Sequence, residues 1–291
     1  MGGSSPLVVA TYNIRAGIGP GEPFPPAWWR HVSRDRLERI GRVIASLDAD
    51  VVSLQEVSVF DVDGVLVDEP ALLADATGMA VRYAAAGHFP VIEPEDGRVS
   101  GTALWGNAVL TRVPIADSWA AGLPLGADDD LVEPADALNP RSGEPHPLAG
   151  VRYADAPTGS REPRVLLRVA VEPPGGAPLH VLATHFTHVG GEQRRSQAAF
   201  VADVVAALDG HVVVAGDLNA TIEAPALEPL VGPLDDAFTA VGMPRGDPGR
   251  LSCGPWAIDH VLTRGLSVAS CRVAREAGDA SDHWPLVAAL R

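Results

Sequence analysis

Apolar residues fall along this chain in short blocks bounded by Gly, Pro, Asp and Asn. Each block has the length of a strand or a short helix. Residues 7–12 are mostly apolar and end in the polar Asn13, the pattern of a buried strand. A Pro/Gly-rich loop over residues 17–26 then leads to Trp28 and Trp29. From Asp35, the positions Leu37, Ile40, Ile44 and Leu47 recur at helical spacing with Arg and Glu between them. Residues 51–54 predict the next strand, with Gln55 and Glu56 at its end. Further strands are predicted at 102–105, 107–110, 165–171 and 179–183. A second helix is predicted over 192–208, with Phe200, Val201, Val204, Val205 and Leu208 on one face. Residues 212–215 read as a strand running straight into Gly216 and Asp217, and 258–262, 266–273 and 285–290 as closing strands.

One stretch breaks this rhythm. Residues 117–162 are rich in Pro, Gly and Ala, with nine carboxylates against three arginines. A stretch of this kind predicts a long loop insertion, at about 117–163, lying over a site within a single domain of residues 6–291. There is no internal repeat, no dividing linker, and no apolar run long enough to span a membrane.

The polar residues of interest sit in or just after the apolar runs: Asn13, Glu56, His185, Asp217 with Asn219, Asp259 with His260, and Asp282 with His283. In a sheet protein, residues so placed can converge on one rim from distant parts of the chain. Carboxylate and amide oxygens suit a hard cation such as magnesium or manganese. Histidine and aspartate supply proton transfer and orientation. With no cysteine cluster and no HExxH helix, zinc-protease and structural-zinc chemistry are disfavoured.

Charge narrows the classes further. The formal balance is −15, with 37 acidic residues against 22 basic ones, every one of the latter an arginine. Without lysine, Schiff-base catalysis and a P-loop are excluded. A duplex-DNA binder carries clustered cations to neutralise phosphates, and this overall field repels a polyanion. Cys253 and Cys271 fit no metal spacing and read as buried free thiols. The first twelve residues lack a secretory pattern, Gly2 to Ser5 are set aside, and a cytoplasmic location is expected.

The ordered series TYNIR, LQEV, GNAVLTR, ATHFTH, GDLNA, IDHVL and SDHWPL resembles the endonuclease/exonuclease/phosphatase superfamily, whose founding fold is that of DNase I. The resemblance runs from residue 7 to residue 290. It implies an α/β fold, a four-layer α/β/β/α sandwich of two mixed β-sheets flanked by helices, with one catalytic rim. It further implies a metal-dependent phosphoric ester hydrolase using Mg2+ or Mn2+. By this resemblance Glu56 matches the main metal carboxylate, with Asn13 as companion and Asp282 assisting. Asp217 and Asn219 match the pair that aligns and deprotonates the attacking water. His283 matches the histidine at the scissile phosphate, oriented by Asp259, and His185 matches a second histidine that serves as phosphate ligand or general acid. Asn107 matches a phosphate or substrate contact. His188 and His260 read as structural, Arg194 and Arg195 as a solvated face, and Asp128 to Asp130 as exposed loop charge.

Given the charge, the leading expectation is hydrolysis of a small-molecule or lipid-like phosphate mono- or diester, with Trp28, Trp29, Phe89 and the acidic insertion shaping the pocket. A DNA or RNA nuclease, and a non-hydrolytic member that binds or rearranges a metabolite, stay open as alternatives.

Overall fold

Alternate side chains along the central strands are apolar on both faces, and each face meets a different layer. The computed structural model describes residues 6–20, 28–125, 163–173, 177–188 and 190–291. Its strands, in chain order, are β1 (Leu7–Asn13), β2 (Val51–Val62), β3 (Val65–Asp68), β4 (Ala80–Ile92), β5 (Val99–Thr111), β6 (Ile115–Gly122), β7 (Val165–Val171), β8 (Leu179–His185), β9 (His211–Asp217), β10 (Asp235–Asp236), β11 (Asp259–Arg264), β12 (Val268–Val273) and β13 (Leu286–Leu290). The main helices are α1 (Arg34–Ser46), α2 (Glu69–Thr77) and α3 (Gly191–Ala207).

A seven-stranded sheet has the order β12-β13-β1-β2-β5-β4, with β3 added beside β2, and a six-stranded sheet has the order β10-β11-β9-β8-β7-β6. Both are mixed: β1 and β2 are parallel in the first, β8 and β9 in the second, and the remaining pairs are antiparallel. Val9, Val51, Val109, Val181, Val213 and Val261 face the space between the sheets. Their neighbours Ala10, Val52 and Leu110 instead face Leu37, Ile40 and Ile44 of α1 and Leu73 of α2. Leu182, Val212, Val214 and Leu262 face Ala198, Val201 and Val205 of α3. Strands buried on both faces read as continuous apolar runs, which is why they were visible in the sequence. The four-layer α/β/β/α sandwich is the observed architecture.

Several expected boundaries move. The strand predicted at 51–54 continues to Val62, and the two predicted at 102–105 and 107–110 are one, β5. Strands β3 and β4 and helix α2 were not predicted; β4 carries five Ala and Gly residues and lies at the sheet edge, where composition is a weak guide. The insertion does not begin at 117, because β6 pairs with β7 from Ile115 to Gly122 and the cross-strand ladder holds this mixed segment. Residues 126–162, with Asp128 to Asp130, lie outside the described residues, as does the Phe89 side chain. Among the described residues no helix is long and apolar enough to cross a membrane. Both cysteines are buried, and neither is in a disulfide.

Two glycines mark close backbone approaches at the rim of the sheets. A Cβ on Gly216 would lie 1.9 Å from the Thr184 carbonyl oxygen, and one on Gly106 would lie 1.9 Å from that of Ala84. No side chain fits in either place.

Helix α2 opens with a buried carboxylate that holds the strand beneath it. Glu69 Oε2 accepts a 2.8 Å hydrogen bond from the Ser58 amide, while its other oxygen is buried without a partner. Burial pushes its pKa up from 4.5 to about 8. The folded chain therefore holds a proton there that the unfolded chain releases above pH 4.5, so this residue makes stability fall as pH rises through the window from 4.5 to about 8, by at most about 1.4 kcal/mol per pH unit. Glu69→Gln is expected to melt at a higher temperature than wild type at pH 8 and at the same temperature at pH 5. Thermal unfolding at the two pH values checks this, and a lower melting temperature for the variant at pH 8 would mean Glu69 is ionised in the fold.

Candidate active site

Where the core between the sheets reaches their rim, its inward positions turn from apolar to polar. Along β1 the series is Val9, Thr11, Asn13; along β8 it is Val181, Ala183, His185; along β9 it is Val213, Ala215, Asp217. Parallel neighbours end on the same rim, and antiparallel neighbours begin there. Asp217 is thus level with His185 on one side and with Asp259, the first residue of β11, on the other. Arg164 precedes β7 and His283 precedes β13, at the same rim.

Glu56 reaches this rim through a fault in the ladder. The register of β2 against β5 shifts between Leu54 and Val57, so Gln55 and Glu56 together oppose Asn107. Glu56 has φ +54°, in the left-handed region. Strict alternation would send Glu56 to the face opposite Gln55; a bulge re-aims it. Asn219, also at a positive φ of +51°, makes the second such turn, just beyond β9. Strained backbone of this kind persists where the surrounding contacts over-determine it.

The contacts are dense. Asn13 Nδ2 donates to Glu56 Oε1 (2.9 Å) and Asp217 Oδ2 (3.2 Å), while its Oδ1 accepts from the Arg15 amide (3.0 Å). Asp217 Oδ1 accepts from the Asn219 amide at 2.9 Å. Asp217 Oδ2 also lies 3.5 Å from His185 Nε2 and 3.7 Å from His283 Nε2. Asn219 Nδ2 donates to the Phe186 carbonyl (2.8 Å) and sits 3.0 Å from His185 Nε2. Asp217, Asp259 and His283 are each 1% exposed and converge closely enough to hold a cation.

The two histidines have opposite partners behind them. His283 Nδ1 is 2.8 Å from Asp259 Oδ2, which also accepts from Ser252 Oγ at 2.6 Å. A carboxylate at Nδ1 holds a proton there and favours the imidazolium. His185 Nδ1 instead lies 2.9 Å from Arg164 Nη1, buried with it. A guanidinium only donates, so Nδ1 accepts from it, while Nε2 faces Asn219 and Asp217 in the site. A second positive charge on that ring would stand beside the first. One histidine is thus backed by a carboxylate and the other by a guanidinium, so the two rings meet opposite charges.

Glu56 and Asp282 form the acidic side. The pKa of Glu56 is raised, first by loss of solvation and then by the Asp282 charge, against a lowering from the Asn13 hydrogen bond. Asp282 is half-buried, with its carboxylate 3.6 Å from Arg15 Nε. Two acids with this little compensation and only oxygen donors fit a hard divalent cation.

Every expected catalytic and metal residue therefore meets at one rim. Asn107 does so from β5, but its amide nitrogen is committed to the Val165 carbonyl at 2.8 Å, tying the two sheets together. His260 is buried and bonds the Ala220 carbonyl at 2.9 Å, which anchors the loop after Asn219. Arg194 is not a solvated side chain: it donates to the carbonyls of Thr187 and His188 and holds the segment after β8. Arg195 is the exposed one, paired with Glu228. Trp28 and Trp29 are buried, with Trp28 edge-on to Phe60 and Trp105 at about 5.4 Å, so they brace the loop beside the site from beneath.

Sequence reasoning missed Arg164, Ser252 and Ser281, the last donating to the Asn13 carbonyl at 2.8 Å. The available signals were slight: a charge heading an apolar run at Arg164, and hydroxyls a few residues from the two motif aspartates.

The sequence profile of the Endonuclease/Exonuclease/phosphatase family matches residues 10–283. No curated protein is similar in sequence at a significant level. Among solved structures, an endonuclease/exonuclease/phosphatase from Beutenbergia cavernae is 24% identical, with a TM-score of 0.64 over 99% of this chain and 72% of that one. The Bacteroides thetaiotaomicron mannosyl-6-phosphatase is 17% identical, with a TM-score of 0.59 over 98% of this chain and 99% of that one. Humanized D. rerio TDP2 is 15% identical, with a TM-score of 0.59 over 99% of this chain and 100% of that one.

Proposed function

The chain belongs to the endonuclease/exonuclease/phosphatase family, and we propose that it is a divalent-metal-dependent phosphoesterase acting on a small-molecule or lipid-like phosphate mono- or diester. The observation that carries this reading is Asp217, bridged through Asn13 to the bulged Glu56 and flanked by two histidines backed by opposite charges.

Glu56 and Asp282, with Asn13 beside them, would hold magnesium or manganese, which would supply Lewis-acid neutralisation of a non-bridging phosphate oxygen. Asp217 takes the proton of the attacking water, and Asn219 aligns that water through its amide. His185 presents Nε2 to the phosphate. His283, kept protonated by Asp259, sits against the developing negative charge or passes its proton to the leaving oxygen. Arg164 holds His185 through Nδ1, and Ser252 holds Asp259.

Charge supports a small substrate over a nucleic acid. Beyond the net −15, arginines are tied to carboxylates across the surface: Arg30 to Glu93 and Glu95, Arg39 to Asp279, Arg98 to Asp63, Arg112 to Asp48 and Arg272 to Glu276. Cations so paired track a phosphate backbone poorly. The same fold serves a protein named as a mannosyl-6-phosphatase, so small phosphorylated substrates are within its reach.

Release of p-nitrophenol from p-nitrophenyl phosphate and bis-p-nitrophenyl phosphate tests the reading. Hydrolysis is expected with magnesium or manganese and none with chelator. Glu56→Gln, which keeps the acceptor for Asn13 and removes the charge, is expected to raise the half-saturating metal concentration by about 10- to 100-fold. Hydrolysis of either ester that persists in chelator, or no hydrolysis of either by folded, metal-supplied protein, would overturn the reading.

A further inference from the structure

On the flank of this rim, Cys253 and His283 are joined by an isolated antiparallel bridge. The bridge is braced by the Trp284 amide donating to the Ser252 carbonyl at 2.7 Å. Bridged residues present their side chains next to one another. Here the sulfur of Cys253, a carboxylate oxygen of Asp282 and an imidazole nitrogen of His283 all lie within 4.8 Å of one another. Cys253 is 4% exposed and His283 1%, whereas the Asp282 side chain is 28% exposed and leaves a path for an ion.

We propose that Cys253, Asp282 and His283 form a binding site for a borderline-soft divalent cation of the zinc and cobalt class, distinct in chemistry from the oxygen-donor site at Glu56. Thiolate, imidazole and carboxylate are the three ligand types zinc takes, and three protein ligands leave its fourth tetrahedral position to water. Magnesium, which selects oxygen and octahedral geometry, does not compete for a thiolate. Asp259 at His283 Nδ1 fixes the orientation of the ring. Binding sends the thiol proton to solvent and leaves a sulfur–metal bond. Because the ion takes both His283 and Asp282, zinc here blocks the chemistry proposed above while magnesium remains in excess.

Cobalt reports the site directly, since a cobalt–thiolate bond adds a charge-transfer band in the near ultraviolet. Titration of the metal-stripped full chain with cobalt, in millimolar magnesium, is expected to raise this band to saturation at one equivalent. Zinc is expected to abolish it. Cys253→Ala should lack the band and Cys271→Ala should keep it, because Cys271 sits in the core between the sheets with its thiol pushed up to about 12 by burial. Asp282→Asn retains the sulfur and is expected to weaken cobalt binding by about tenfold. That variant also gives a result should Cys253→Ala fail to fold. Absence of the band in wild type, its survival in Cys253→Ala, or unchanged cobalt affinity in Asp282→Asn would each overturn the three-ligand site. The spectrum reads metal binding alone, so its outcome is separate from whether the chain hydrolyses phosphoesters.

Discussion

Asp217→Asn is expected to lower kcat/KM for metal-dependent phosphoester hydrolysis by about a thousandfold, the range in which a positioned general base acts. The substitution keeps the shape and the oxygen that accepts the Asn219 amide at 2.9 Å. It removes the negative charge and basicity from the atom on which Asn13, His185 and His283 converge at 3.2, 3.5 and 3.7 Å. KM should change little, because a base acts on the water in the transition state rather than on bound substrate. Stability should fall by about 1–3 kcal/mol, because the new side-chain nitrogen faces the Asn13 donor at 3.2 Å and cannot accept from it. Steady-state kinetics paired with thermal unfolding separates the two effects. A folded Asp217→Asn protein within tenfold of wild-type kcat/KM would rule out Asp217 as the base.

The Asp259–His283 pair is the second test. His283→Ala is expected to reduce kcat/KM by about 100- to 1000-fold, by loss of an acid and of charge stabilisation. Asp259→Asn, which leaves His283 in place but presents an amide to Nδ1, is expected to reduce it by about a hundredfold through the wrong ring tautomer. The double variant should be no worse than His283→Ala alone, because Asp259 acts only through the ring it orients. The pair sits at 2.8 Å with both side chains 1% exposed, so no water substitutes for the lost partner. A double-mutant cycle in kcat/KM decides the point. Additive losses would mean that Asp259 contributes by a route of its own, such as holding a cation with Asp217.

The two histidines differ in what stands behind them. A carboxylate backs His283 and a guanidinium backs His185, so two identical, buried side chains meet opposite charges. That contrast depends on Arg164, a residue no motif singled out.

Much of the architecture is written in local order. Strands buried on both faces must be apolar at successive positions, so β1, β7, β8, β9 and β13 appear as runs rich in Val, Leu and Ala. An amphipathic helix must repeat at 3.6 residues, so α1 appears in the spacing of Leu37, Ile40 and Ile44. The chemical residues were visible because they lie at the ends of such runs; their types pointed to a hard cation and proton transfer, and the family resemblance to a phosphoester. Edge strands β4 and β6 were hidden because their compositions are mixed and a backbone ladder leaves no mark on composition. Nothing in the one-dimensional order says that Glu56 turns back toward Asn13, since alternation alone points it away; the bulge opposite Asn107 reverses it. Nor does it say which partner stands behind each histidine. Arg164 is 21 residues from His185, and Asp259 is 24 from His283. Register and packing between strands set those distances, and the electrostatics that separate the two rings follow from them.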